Sequence, residues 1–184
     1  MTENEFKRFI ESNLNHERVG YFSCVILHQN QEMFAWYAAL RIGEIIKEFY
    51  NNNASTILLC LKLETIIQRL NKMREKDILL LSVNNPNFKS ILSLVVDEVL
   101  NNHKNIVFIG TRDNPVLRKI KDITINVIEV EGLNEKLHIF VNINEKGKRE
   151  LDLSMPDKSL ISKYNNRKRE LLMEAVKKPK MDLI

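Results

Sequence analysis

From residue 19 to about residue 130, two kinds of apolar pattern alternate along the chain. Short, nearly unbroken apolar runs occupy Val19–Leu27, Ser55–Leu61, Asp77–Val83, Asn105–Gly110 and Ile123–Ile128. Their length and their wealth of branched and aromatic residues predict strands, and the lack of in–out alternation predicts strands buried on both faces. Between them, apolar residues recur at helical spacing. This predicts helices over Met33–Tyr50, Glu64–Arg74, Asn87–Asn101 and Asn114–Lys121, after an amphipathic opener at Glu3–Asn13 with Phe6, Ile10 and Leu14 on one side. The Met33–Tyr50 helix is apolar on more than one face, which calls for deep burial or an interface. Trp36 and Phe34 are accordingly read as core or dimer-interface residues, not as a stacking platform. Pro115 stands near the start of its helix, where a missing amide costs nothing.

Buried strands alternating with helices give an α/β fold, a three-layer αβα sandwich around a five-stranded parallel sheet. Residues 1–184 read as a single domain with its core at about 15–130. The stretch 131–184 is a C-terminal extension. Within it, Leu137–Ile143 fits either a further strand or part of a helix. Ser154-Met-Pro-Asp resembles a helix start, and Lys158–Val176 carries Leu160, Tyr164, Leu171, Leu172 and Val176 at the spacing of a final helix.

Composition narrows the class. With 44% hydrophobic and 28% charged residues the chain is that of a globular protein, not of a disordered one. The N-terminal residues lack the apolar core of a signal peptide, and the longest apolar runs are too short to span a bilayer. Cys24 and Cys60 lie inside apolar stretches without metal-binding or redox spacing, so they read as buried thiols in a reducing, cytoplasmic setting. No metal or cofactor is expected. Charge is unevenly placed. Residues 1–144 hold 17 basic and 17 acidic residues, whereas 145–184 hold 11 basic and 7 acidic ones. The basic run Lys163–Arg169, with Lys177–Lys180, is the single nucleic-acid candidate, and the solvated face of an amphipathic helix followed by a tail is the favoured reading of it.

In an open parallel sheet, ligands bind beyond the carboxyl ends of the strands. The residues delivered there are His28 and Asn30 after the first strand, Lys62 after the second, and Ser82, Asn84, Asn85 and Asn87 after the third. Thr111 and Arg112 follow the fourth, and Glu129 the fifth. This set is polar and mostly neutral. It suits hydrogen bonding to hydroxyls, a carbonyl or a phosphate better than proton transfer. With five glycines and no cluster of them, the chain has neither GxxxxGK[ST] nor GxGxxG, and Ser82 is not on a GxSxG elbow. Catalysis is not expected.

Read in order, Asp77-Ile-Leu-Leu-Leu-Ser-Val-Asn-Asn-Pro-Asn87, Ile106-Val-Phe-Ile-Gly-Thr111, Asn114-Pro-Val-Leu117 and Asp122-Ile-Thr-Ile resemble the SIS (sugar isomerase) domain of RpiR-type transcriptional regulators. Ala39-Leu-Arg-Ile-Gly43 is similar to the family's motif after its first strand. The resemblance implies a flavodoxin-like strand order and a phosphosugar loop in which Ser82 is kept and Asn84, Asn85 and Asn87 replace Ser, Gly and Thr. It further implies a ligand-sensing, carbohydrate-derivative-binding homodimer that reaches DNA only through a separate domain, with a sugar phosphate or related anion held by Ser82, Asn84, Asn85, Asn87, His28, Asn30 and Thr111. Two alternatives stay open. One is an isomerase-type enzyme using His28 and Glu129. The other is a ligand-free module for dimerisation or protein interaction, in which the Asn loops pack shut.

Overall fold

The computed structural model describes residues 3–15, 20–51, 55–60, 62–133, 136–142 and 148–154, together with 166, 169 and 170. The final helix expected over Lys158–Val176 and the basic run lie, apart from Asn166, Arg169 and Glu170, outside the described residues.

The elements run α1 (Glu3–Leu14), β1 (Ser23–His28), α2 (Glu32–Phe49), β2 (Ile57–Cys60), α3 (Leu63–Lys72), β3 (Ile78–Ser82), a 3₁₀ turn (Phe88–Ile91) and α4 (Leu92–Asn102). They continue with β4 (Asn105–Thr111), α5 (Leu117–Ile123), β5 (Asn126–Leu133), β6 (Lys136–Asn142) and β7 (Lys148–Ser154). One mixed sheet takes the order β2-β3-β4-β1-β5-β6-β7. The five strands from β2 to β5 pair in parallel, and β6 and β7 extend the sheet antiparallel.

The apolar pattern accounts for the layering. Cys24 and Ile26 of β1 face one core, together with Ile78 and Leu80 of β3, beneath α1 and α2. Val25 and Leu27 face the other, beneath α3, α4 and α5. Both faces of these central strands are therefore covered, and no alternation appears in their sequence. Trp36 is core, 3% exposed, and its indole Nε1 donates to the Glu32 carboxylate at 3.2 Å.

Beyond β1 the sheet changes character. In β6, Leu137, Ile139 and Val141 are buried in the core under α1 and α2, while His138 and Phe140 are only half-buried on the other side. A strand covered on one face reads with period two, and this resolves Leu137–Ile143 as strand through Asn142. The expected last parallel strand also shifts. Helix α5 continues through Ile123, and β5 starts only at Asn126.

The α/β architecture stands, but the flavodoxin-like order does not. In that order β1 lies between β2 and β3. Here β4 separates β1 from β3. No helix among the described residues is long and apolar enough to cross a membrane.

Candidate functional site

Strand β1 leads into α2 on one face of the sheet, whereas its neighbour β4 leads into α5 on the other. The topological switch point is therefore between β1 and β4, the position at which open α/β sheets place a ligand crevice. Three connections border it: Gln29–Gln31 after β1, Arg112–Val116 after β4, and Val83–Asn87 after β3.

His28 closes β1. Strand alternation turns its side chain toward α2, as it does those of Cys24 and Ile26. The residue is 2% exposed. Its ring Nδ1 accepts the backbone N–H of Gln31 at 3.1 Å, which places the proton of the neutral ring on Nε2. Nε2 is buried and has no hydrogen-bond partner among the described residues. Burial holds the ring's pKa below the usual histidine range; Glu32 opposes this and Arg112 adds to it. The His28 carbonyl accepts the backbone N–H of Arg112 at 3.0 Å, tying the end of β1 to the loop after β4.

Gln31 seals the other side of β1. Its Oε1 accepts the Gly132 N–H at 2.9 Å, and its Nε2 donates to the Gly132 carbonyl at 3.3 Å. The side chain thus lies along β5 like one more residue of a strand. Asn30, between the two, is exposed with a left-handed φ of 52°. Asparagine tolerates that region better than most residues, and the turn uses it for that purpose.

Asn84 fills the β3–β4 side. Its Oδ1 accepts the Thr111 N–H at 3.1 Å and the Asn114 Nδ2 at 3.3 Å, with the Thr111 hydroxyl at 3.5 Å. Asn114 Nδ2 also donates to the Val83 carbonyl at 3.1 Å, and Asn114 Oδ1 accepts the Val116 N–H at 3.0 Å. The two asparagines lock the β3 and β4 loops together, and Asn114 closes a local turn just ahead of α5. Ser82 joins them only through its Oγ, which accepts the Asn84 N–H at 3.4 Å.

Asn85 and Asn87 are not part of this cluster. Both are exposed, and Asn85 Oδ1 accepts the Asn87 N–H at 2.9 Å in a local turn. The structure therefore unites Ser82, Asn84 and Thr111, sets His28 and Asn30 in the neighbouring loop, and directs Asn85 and Asn87 elsewhere. Gln31 and Asn114 complete the site without having been expected there. Asn114 before Pro115 carried a turn signal, an asparagine side chain bonding the backbone two residues on, that could have revealed it. Nothing local marks Gln31, whose partner is about a hundred residues away.

The His28 and Glu129 pairing fails on geometry. Glu129 is in register with Leu27, so it shares Leu27's face of the sheet, while His28 turns to the opposite one. Glu129 instead meets Arg112, with 3.8 Å between Oε2 and the guanidinium. The isomerase alternative is corrected accordingly. Among the described residues no group of three or more His, Cys, Asp or Glu side chains is placed to hold a metal ion.

No family model matches this chain, and no curated protein matches it. Among solved structures, the crystal structure of the DnaC helicase loader is similar with a TM-score of 0.46 and 11% identity. That likeness covers 70% of this chain and 90% of the other. The strand order overturns the resemblance to SIS domains of RpiR regulators, and with it the reading as a phosphosugar-sensing transcriptional regulator. The physical reason is the position of β4. A phosphosugar site of the expected kind joins the β1 and β3 loops as neighbours, and here the β4 loop stands between them.

Proposed function

We propose that this chain is a non-catalytic α/β module that acts through contacts with other protein surfaces, its ligand crevice closed by its own side chains. One observation carries the reading. At the switch point, the acceptors and donors that would otherwise meet a ligand are used internally: Asn84 Oδ1 by Thr111 and Asn114, and the Gln31 amide by both backbone groups of Gly132.

The connection from β1 to α2 supports it. A phosphate-binding loop in that position needs a glycine-rich segment such as GxxxxGK[ST] between strand and helix, so that backbone amides can surround the phosphate. Only Gln29, Asn30 and Gln31 lie between β1 and α2, and none is glycine or lysine. Large apolar side chains remain on the same rim. Met33 is 48% exposed just after Gln31, and Leu133 is 53% exposed next to Gly132. Self-association through a surface of this kind is part of the proposal. Analytical ultracentrifugation of the wild-type chain and of the Met33→Lys, Leu133→Lys double variant tests it: a wild-type dimer weakened by the substitutions is expected, and a dimer equally stable in both contradicts the role of this rim.

Thermal-shift measurements with nucleoside triphosphates plus Mg²⁺ and with sugar phosphates test the closed crevice. A ligand at a hundred times its Kd would add about 2.7 kcal/mol of stability. No stabilisation is expected at millimolar ligand, and a rise of several degrees with one phosphate class would contradict the reading.

A further inference from the structure

The β1–α2 turn depends on a hydrogen bond that only one protonation state of a buried ring can make. His28 Nδ1 accepts the Gln31 N–H at 3.1 Å. This requires a bare Nδ1, and therefore the neutral ring. The Gln31 amide in turn belongs to the residue whose side chain seals Gly132 of β5. The His28 carbonyl holds the backbone of Arg112, the first residue beyond β4. A single residue thus fixes two of the three loops that border the crevice.

Around the ring there is little to accept a second positive charge. The side chain is almost wholly enclosed, and Nε2 has no partner among the described residues. The charged groups acting on it are Glu32 in the first turn of α2, which favours a proton, and Arg112 after β4, which disfavours one. Arg112 is partly neutralised by Glu129 of β5 at 3.8 Å. The residue beside His28 in β4 is Thr111, which is uncharged. A proton on Nδ1 would set an N–H against the Gln31 N–H and bury a charge that has no carboxylate in contact among the described residues.

We propose that His28 is a proton-sensitive latch, whose neutral ring pins the β1–α2 turn shut and whose protonation releases Gln31 and opens the crevice between β1 and β4. This rests on the closed-crevice reading given above. The sign follows from linkage. The open form binds the proton with the affinity of a free histidine and the closed form more weakly, so opening is favoured as pH falls below about 6.5 and levels off below the pKa of the closed form. Within that window the open-to-closed ratio changes by up to about ten-fold per pH unit.

Amide hydrogen exchange on the full chain, corrected for the intrinsic pH dependence of exchange, tests this between about pH 7.5 and pH 5. The reporters are the amides of Gln31 and Arg112, with Ile26 and Val107 in the sheet core as the reference for global unfolding. The latch predicts that protection of Gln31 and Arg112 falls by up to about ten-fold per pH unit while the core amides keep theirs. His28→Asn, which retains a short acceptor but no proton to gain, should make the two amides insensitive to pH. Should that variant not fold, the ring resonances of wild-type His28 must titrate over the same range in which Gln31 loses protection. Constant protection at all pH values, the same loss in His28→Asn, or a His28 titration displaced from the loss of protection each overturns the latch. If Gln31 and Arg112 are unprotected already at pH 7.5, the closed-crevice reading itself fails.

Discussion

Asn84 and its neighbours Asn85 and Asn87 belong to the same residue type within four positions, yet the structure gives them unlike roles. Asn84 takes the Thr111 N–H and the Asn114 amide, and removing it leaves a half-buried backbone donor without its acceptor. We expect Asn84→Ala to cost about 1–3 kcal/mol in chemical denaturation. Asn85→Ala and Asn87→Ala, in an exposed turn, should each stay within about 0.5 kcal/mol. Equal costs for all three would contradict the assignment. Asp77 shows the same contrast between motif and role. It stands where the resemblance placed an aspartate opening a strand, and it is structural: its carboxylate accepts the Thr56 N–H and the Arg74 N–H, both at 3.0 Å, and pairs with the Arg74 guanidinium at 3.1 Å. Asp77→Ala should lower stability by about 2–3 kcal/mol through the loss of these charge-assisted bonds. Side-chain identity at the strand ends was legible from the sequence. Partners were not, because Gln31 meets Gly132, and Asn84 meets Thr111, across separations that no local pattern encodes.

At the scale of elements, the strands and helices of the core appear where apolar periodicity places them, within a few residues. Misplacements fall where one kind of element passes into another. Ile123-Thr-Ile has strand-forming residues, but Ile123 finishes α5, Thr124 follows it as the cap, and β5 begins two residues later. Tertiary packing decides such boundaries, since Ile120 of α5 is buried in the core and holds the helix turn against the sheet. Gly110 is a second case. It reads as an ordinary strand residue, yet a Cβ there would lie 2.8 Å from Val83 Cγ2 and 3.0 Å from Leu117 Cδ2. β4, the β3 loop and α5 meet too closely for a side chain. Val83 is fully buried and branched at Cβ, so it has little room to turn away. Gly110→Ala should therefore destabilise the protein by about 1–3 kcal/mol in denaturant titration, and a neutral result would mean that α5 can shift freely on the sheet.

At the scale of the molecule, strand order was the feature that sequence could not supply. β1 to β4 are buried on both faces and nearly uniform in composition, so their sequences do not encode which strand neighbours which. The resemblance supplied an order by analogy, with β1 between β2 and β3. The structure instead places β4 beside β1 and moves the switch point with it. That single change turns Ser82-Val-Asn-Asn-Pro-Asn87 from half of a phosphosugar site into a brace for the β4 loop. Separately, the register of β5 on β1, with Glu129 opposite Leu27, puts His28 and Glu129 on opposite faces of the sheet. What remains at the crevice is a set of amides that satisfy one another, with one histidine holding the turn.

The central claim is that this crevice is closed by the protein's own groups at neutral pH. The most direct measurement is a nuclear magnetic resonance titration of the ¹⁵N-labelled chain at about pH 7.5 with Mg²⁺–nucleoside triphosphate and with sugar phosphates, following the amides of Gln31, Thr111, Arg112 and Gly132. The account predicts that these four resonances stay in place up to millimolar ligand. Saturating shifts confined to them, with one phosphate compound, would contradict it.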